Sequence, residues 1–134
     1  MPGGGSARPL SQAVLDEQAQ FIQMNGREVF KFATRVVGES CRRVLQQAEL
    51  TLGDIDWIIP HQANLRIIQA AAQHMAISLN CFIINIERYG NTSAASIPVA
   101  LSEALSSGRI RPGQRLLLTA FGSGLTWATV ILDL

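Results

Sequence analysis

Charged side chains are scarce in this 134-residue sequence: Asp, Glu, Lys and Arg make up 16% of it, against about 25% in an average soluble domain. The 11 basic and 10 acidic residues leave a net charge of +1, which gives no electrostatic reason to expect a nucleic acid or an anionic membrane as a partner. Disorder is excluded, because 48% of the residues are apolar and the net charge is close to zero. The length is that of one domain. So few charges on a domain this small predict that part of its surface contacts other protein.

Cysteine and long apolar runs are also scarce. Cys41 and Cys81 are the two cysteines, and they match neither a metal-binding spacing nor a disulfide framework, so we expect no metal site and a reducing, cytoplasmic location. No apolar run approaches the roughly 18 residues of a membrane span. The first residues, MPGGGSARPLSQ, lack the apolar stretch of a secretory signal. We therefore interpret residues 1–23 as a flexible leader and irregular lead-in, and residues 24–134 as the folded domain.

Hydrophobic periodicity divides the rest of the chain into helices and strands. Apolar residues at helical spacing, β-prone runs and turn residues predict helices over 26–49, 63–75 and 93–105 and strands over 55–59, 81–86, 115–120 and 126–132. The turn between the last two strands is short enough to permit only an antiparallel pair. This αβαβαββ order predicts an α/β domain whose layers include a mixed sheet.

Three polar loops leave the carboxyl ends of predicted strands, at 60–64, 89–93 and 121–124. Because ligands of open α/β sheets bind at that edge, the loops could bring together His61, Asn91 and the backbone N–H groups near Ser123. The alternative is structural: His61 caps the following helix, and Asn91 occupies a tight turn. Composition alone favours the structural alternative.

Four strings of residues change that balance. They are NGREVFKFA at 25–33, WIIPHQANLR at 57–66, ERYGNTSAASIP at 87–98 and FGSGLTW at 121–127. In this order they closely resemble the C-terminal half of β-ketoacyl-acyl-carrier-protein synthase III, over residues 24–134. The resemblance implies one half of a thiolase-like fold. It also implies decarboxylative condensation of an acyl-CoA with malonyl-acyl-carrier protein, the reaction that initiates fatty-acid synthesis, with acyl-CoA as a substrate and no cofactor.

The resemblance assigns roles to individual residues. His61 of PHQAN and Asn91 of YGNTS match the catalytic pair that stabilises the enolate formed as malonyl loses CO2, and a neutral imidazole N–H and an amide NH2 can both donate to that oxygen. The FGSG segment resembles an FGGG segment whose backbone N–H completes the oxyanion hole. Ser123 keeps this N–H, although a serine there would strain a backbone with positive φ.

Four further positions match binding residues of the family. Asn64 corresponds to a contact with the pantetheine arm of CoA, and Phe121 to a residue of the substrate tunnel. Arg66 and Lys31 correspond to basic residues that dock the acidic carrier protein. The alternatives are core packing for Phe121 and an ordinary exposed cation for each basic residue. Two other basic positions of that patch, which would strengthen docking, are occupied here by Gln73 and His74.

The nucleophilic cysteine of the family belongs to its N-terminal half. Cys41 lies on the apolar face of a predicted helix and Cys81 opens a predicted strand, so we interpret both as core residues. The chain is therefore predicted to be inactive alone and to need a complementary, cysteine-bearing half. The alternative is a binding or assembly module that keeps the half-fold without turnover. A serine hydrolase is disfavoured, because a G-x-S-x-G elbow would need glycine where Phe121 and Leu125 stand.

Small residues open the third predicted helix, which in the family packs against its counterpart in the other half. In this chain alone the same face would be left uncovered. We therefore expect six residues to face water: Ala94, Ala95, Ser96, Ile97, Ala100 and Leu101. Exposed apolar surface favours association, so the chain is expected to self-associate through this face, to bind the complementary half, or to aggregate.

Overall fold

A three-stranded mixed sheet forms the centre of the fold. The computed structural model describes residues 1–134. Its strands are β1 (Trp57–Pro60), β2 (Arg115–Gly122) and β3 (Thr126–Asp133). Its helices are α1 (Gln12–Asp16), α2 (Gly26–Gln47), α3 (Leu65–Met75), α4 (Ile86–Tyr89) and α5 (Ser96–Ser106). β2 lies in the middle, parallel to β1 and antiparallel to β3, which confirms the predicted α/β class and the mixed sheet.

Helices cover both faces of the sheet, because successive strand residues point to opposite sides. Ile58 and Leu117 belong to a buried cluster with residues of α2 and α3, namely Val37, Cys41, Leu45, Ile68, Ala71, Ala72 and Met75. Ile59 and Leu116 belong to a second buried cluster with Ala100 and Ala104 of α5. Fully burying an Ile or Leu side chain contributes about 1.5–3 kcal/mol. The sheet is therefore held between two apolar layers. None of these helices has both the length and the apolar character of a membrane span.

The helices α2 and α3 pack closely against each other. α2 begins after Asn25, whose Oδ1 accepts the Glu28 N–H at 3.3 Å and so satisfies one of the free donors of the first turn. The His74 ring at the end of α3 lies so close to Gly38 that a Cβ on this glycine would be 2.7 Å from His74 Cδ2. Arg42 closes the contact, with Nη2 at 2.8 Å from His74 Nε2. A glycine in the middle of α2 thus permits the approach of the two helices.

Residues 81–86, predicted as a strand, form only a single bridge. Ile58 pairs in parallel with Phe82, and the Ile83 N–H donates to Ile58 O at 2.9 Å. The next donor in this register is the nitrogen of Pro60, which carries no hydrogen. The parallel ladder therefore stops after one step, and the strand prediction is wrong for this segment.

The side chain of Gln62 replaces the missing ladder. Its Nε2 donates to Pro60 O at 2.8 Å and to Ile83 O at 3.2 Å, and its Oε1 accepts the Asn85 N–H at 3.2 Å. Gln62 is fully buried, and a buried amide is stable only when its polar atoms are hydrogen-bonded. An amide side chain thus acts as the backbone partner that a strand would have supplied.

The small residues of α5 pack mainly against the sheet. Of the six residues predicted to face water, four are buried or partly buried: Ser96, Ile97, Ala100 and Leu101. The expectation of exposure is wrong for these four, because the close approach that small residues permit is made to strands of the same chain. The two exposed members of the set are Ala94 and Ala95.

Residues 1–23 have local structure that the leader prediction does not include. The Ser11 Oγ caps α1 by accepting the Val14 N–H at 3.3 Å, and Val14 and Ala19 are buried. The Gly3 N–H donates to Ala19 O at 2.8 Å, and a Cβ on Gly3 would lie 2.9 Å from Val14 Cγ1. This segment folds on itself around Val14. The domain boundary at residue 24 stays a prediction.

We expect Gln62→Met to lower the free energy of unfolding by about 1–3 kcal/mol, because it leaves the Ile83 carbonyl and the Asn85 N–H buried without a partner. Urea denaturation followed by circular dichroism measures the change. Gln69→Met is the matched control, since Gln69 is exposed on α3. Equal stability of the two variants would contradict the bridging role of the Gln62 amide.

Candidate active site

An open cavity of about 440 Å³ lies at the carboxyl ends of β1 and β2, with His61 in its wall. His61 directly follows β1, and its N–H donates to Thr119 O at 2.8 Å, which extends the pairing of β1 with β2 by one residue. The His61 ring meets the ring of Phe121 edge to face, with the ring centres 5.6 Å apart. These contacts hold a half-buried imidazole at the cavity.

The polar contact of the His61 ring is made with Ser96. Nδ1 of His61 lies 2.6 Å from Ser96 Oγ, and the same oxygen accepts the Gln62 N–H at 3.2 Å. Nε2 has no hydrogen-bond partner within the chain. Burial lowers the pKa of His61 below its usual value of 6.5, because desolvation disfavours the charged ring. A neutral imidazole with a free Nε2 is therefore available to a ligand in the cavity.

Asn91 lies in the exposed loop between α4 and α5. Its Oδ1 accepts the Ser93 N–H at 3.0 Å, and Ser93 has a left-handed backbone with φ of 55°, an uncommon conformation for a residue other than glycine. Asn91 therefore occupies a tight turn, as the structural interpretation of this residue predicts. Because its oxygen is engaged, its free groups are the two N–H donors of Nδ2. Asn91 does not line the cavity, although Ser93 and Ala94 do.

Ser123 lies in the exposed turn that joins β2 to β3. Its N–H donates to no other group of the chain, and its carbonyl accepts the Thr126 hydroxyl at 3.3 Å. The left-handed residues of this turn are Gly124 and Leu125, with φ of 78° and 53°. The strain that we predict at Ser123 is therefore absent there and falls on Leu125. Gly122 lines the cavity and Ser123 does not.

The four predicted binding residues occupy different places. Phe121 lines the His61 cavity. Asn64 precedes α3, where its Oδ1 accepts the Arg66 N–H at 2.9 Å. The exposed side chain of Arg66 forms no ion pair. Lys31 is exposed on α2, pairs with Glu28 at 3.0 Å, and lines a second cavity of about 510 Å³. The structure thus joins Phe121 to His61 and leaves the other three outside that cavity.

Neither cysteine lies at the cavity. Cys41 is fully buried, and burial raises the pKa of its thiol to about 11, against hydrogen bonds from Thr119 and Thr129 that lower it. Cys81 is partly buried and packs against the same core cluster as Cys41. A thiol with a pKa near 11 is protonated at neutral pH and is a poor nucleophile. No three His, Cys, Asp or Glu side chains come together in a way that could hold a metal ion.

Comparison with known proteins extends over nearly the whole chain. Residues 45–134 match the family described as 3-Oxoacyl-[acyl-carrier-protein (ACP)] synthase III C terminal. A β-ketoacyl-[acyl-carrier-protein] synthase III of Desulfitobacterium hafniense is 49% identical over 131 residues, which cover 98% of this chain and 40% of that protein. One of Deinococcus deserti is 57% identical over 107 residues, or 80% of this chain and 31% of that protein. The crystal structure of a synthase III from Thermus thermophilus matches with a TM-score of 0.81 and 52% identity, over 84% of this chain and 35% of that one.

The chain belongs to the 3-oxoacyl-[acyl-carrier-protein] synthase III family. It corresponds to the C-terminal domain of those enzymes and spans about two-fifths of the length of the curated relatives that it matches over most of its residues. Its sheet and helices are a fragment of their thiolase fold, as the resemblance implies. The similarity also includes most of residues 1–23, because the Desulfitobacterium hafniense match covers 98% of the chain. The similarity to synthase III therefore extends further toward the N-terminus than the motif resemblance, which covers residues 24–134.

Two residues of this synthase III domain escape prediction from sequence. Ser96 is one of several small residues, and its contact is with a histidine 35 positions away, so no local pattern reports it. Gln62 lies inside the PHQAN string, where a signal does exist. A proline that ends a strand removes a donor, and an amide two residues later can replace that donor.

We expect the pKa of His61 to lie below 6.5 and its protonation to destabilise the fold. The unfolded chain binds this proton more tightly than the folded chain, so the free energy of unfolding decreases as the pH falls from 6.5 to the folded pKa, and the loss is complete below it. NMR titration of the imidazole resonances gives the value, and His74→Gln assigns the signals. A His61 pKa at or above 6.5 would contradict the effect of burial.

Proposed function

We propose that this chain is the C-terminal catalytic half of a β-ketoacyl-acyl-carrier-protein synthase III. The reaction is condensation of an acyl-CoA with malonyl-acyl-carrier protein, with release of CO2, in the cytoplasm and without a cofactor. The observation that carries the proposal is His61, a half-buried imidazole of lowered pKa whose Nε2 is free at an open cavity. Membership of the synthase III family supports the reaction class.

The proposed chemistry is donation of hydrogen bonds to an enolate. When a malonyl thioester loses CO2, the electrons of the broken C–C bond move onto the thioester oxygen, and donors aimed at that oxygen stabilise the transition state. In the proposal these donors are His61 Nε2–H and Asn91 Nδ2–H. The free state of both nitrogens supports this role. The carbanion then attacks the carbonyl carbon of an acyl thioester held by the complementary half; the new C–C bond forms, the C–S bond of that thioester breaks, and the cysteine of that half leaves as a thiolate.

Three further residues have proposed roles in binding and in the oxyanion hole. The unpaired N–H of Ser123 is suited to donate to the tetrahedral oxyanion of the acyl thioester. Phe121 is suited to contact the pantetheine arm, since it lines the cavity. The pantetheine arm is also the proposed ligand of Asn64. Its Oδ1 already accepts the Arg66 N–H, so its Nδ2 is the group left to donate to that arm.

Carrier-protein docking is proposed for Arg66 and Lys31. The Arg66 guanidinium is exposed and makes no ion pair, so an acidic partner can bind it without displacing another group. Lys31 pairs with Glu28, but both side chains are mostly exposed, and ion pairs of this kind contribute little stability. Lys31 can therefore leave Glu28 and pair with a carboxylate of the carrier protein at little cost in free energy.

The proposed macromolecular partner is a complementary, cysteine-bearing half, or a second copy of this chain. Leu125, Trp127 and Val130 of the β2–β3 hairpin are each about half exposed, which supports a contact with other protein. The same exposure favours the second candidate function, a binding or assembly module that keeps the thiolase half-fold without turnover. The two candidates differ in whether a cysteine-bearing half restores condensation.

We expect the 134-residue chain alone to form no acyl-enzyme. Condensation needs a thiolate to hold the acyl group, and the Cys41 thiol is buried with its pKa raised to about 11. The measurement is incubation with radiolabelled acetyl-CoA followed by denaturing electrophoresis, with a complete synthase III as the positive control. Stable label on Cys41 or Cys81 would overturn the proposal that the nucleophile lies in another half.

We expect His61→Ala and Asn91→Ala each to slow malonyl decarboxylation about 10²–10³-fold once a cysteine-bearing half is supplied, the usual loss for one oxyanion donor. Release of CO2 from labelled malonyl-CoA measures the rate. Asn80→Ala is the matched control, because Asn80 is exposed and its side chain has no partner. Full decarboxylation by both site variants would refute the assignment, and loss of turnover in the control would make the effect nonspecific.

A further inference from the structure

Ser96 has a buried hydroxyl group, and its hydrogen-bond neighbours determine which atom accepts the hydroxyl proton. It is the first residue of α5 and is 2% exposed. Its Oγ has two polar neighbours, the Gln62 backbone nitrogen at 3.2 Å and His61 Nδ1 at 2.6 Å. A backbone N–H can only donate, so Ser96 Oγ accepts the bond from Gln62. The hydroxyl proton of Ser96 then needs an acceptor of its own.

His61 Nδ1 is the acceptor that the structure offers. No carbonyl oxygen accepts the Ser96 hydroxyl, although other hydroxyls on helices, such as Thr34 and Ser107, do bond to carbonyls of the preceding turn. If His61 carried its proton on Nδ1 and donated to Ser96, the Ser96 proton would be buried without a partner, which folded proteins avoid. The arrangement that satisfies every group has Ser96 Oγ–H donating to an unprotonated Nδ1.

We propose that Ser96 is a positioning residue that holds His61 as the Nε2–H tautomer and directs this N–H into the cavity. The ligand atom that it fits is a carbonyl or enolate oxygen, which can only accept. The effect on turnover rests on the proposed function, whereas the tautomer itself does not. The same contact also disfavours the charged form of His61, because an imidazolium carries a proton on Nδ1 and would have to donate it to Ser96.

The same contact fixes the second proposed donor relative to the first. Ser96 joins the residue after β1 to the start of α5, and the turn that carries Asn91 enters α5 directly. Movement of α5 away from β1 would therefore move the Asn91 amide away from His61. One hydroxyl sets the protonation of His61 and anchors the backbone that leads to Asn91.

The direct test is the histidine tautomer in the 134-residue chain, read from long-range ¹H–¹⁵N NMR at a pH where His61 is neutral. We expect Nε2 of the wild-type His61 to resonate as a protonated nitrogen and Nδ1 as an unprotonated one. In Ser96→Ala the two resonances should move toward each other as the tautomers mix. Ser96→Thr restores the hydroxyl and should restore the separation, and Ser102→Ala, at an exposed position of α5, should not change it.

The wild-type spectrum decides the proposal even where Ser96→Ala does not fold, because a protonated Nδ1 in the wild type overturns it. Unchanged resonances in a folded Ser96→Ala also overturn it. With a cysteine-bearing half, Ser96→Ala should lower kcat for malonyl decarboxylation while KM stays the same, by less than the roughly 10²–10³-fold loss for removing a donor. If His61→Ala keeps full activity while the tautomer is as expected, the proposed function fails and the role of Ser96 in setting the tautomer stands.

Discussion

Pairing of the backbone groups just beyond β1 is the constraint on which the site depends. Pro60 ends the strand and supplies no N–H, so the Ile83 carbonyl would be buried without a donor. Gln62 provides that donor, and its own N–H is in turn accepted by Ser96 of α5. Three segments therefore meet at one turn: the end of β1, the segment around Ile83 and the start of α5. His61 lies between Pro60 and Gln62, so the hydrogen bonds that satisfy these backbone groups also hold the His61 imidazole in place.

Burial acts on two titratable groups with opposite results for reactivity. Desolvation disfavours whichever form is charged, so it lowers the pKa of His61 and raises the pKa of Cys41 to about 11. For the histidine, the neutral form that results is the one that can both donate and accept. For the cysteine, the neutral form is the unreactive thiol. One physical cause thus leaves a hydrogen-bond donor available at the cavity and leaves the Cys41 thiol unreactive.

Much of the fold follows from local pattern, and the failures have identifiable causes. The apolar face of α2 and the antiparallel β2–β3 pair are predictable, because helical spacing and a short turn are local properties. The outcome for residues 81–86 is not predictable in this way. Their apolar run indicates burial, but it does not indicate that the neighbouring strand lacks a hydrogen-bond donor at Pro60. The small residues of α5 indicate close packing without indicating against what. At the site, the motif resemblance points to His61 and Asn91, whereas the contact of Ser96 depends on the tertiary fold.

The open side of the cavity has a physical consequence for the proposed donors. Hydrogen bonds to a developing charge gain strength where water is excluded, yet His61 is only half-buried and Trp127 beside the cavity is 53% exposed. A second polypeptide that covered this side would bury the Trp127 ring, lower the pKa of His61 further and strengthen donation from Nε2. In the proposed function this polypeptide would also supply the thiolate, because burial keeps the Cys41 thiol protonated. In the proposed function, a complementary half on this side would therefore account for both the apolar exposure of the hairpin and the incomplete burial of His61, and it would place nucleophile and donors around a single cavity from which water is excluded.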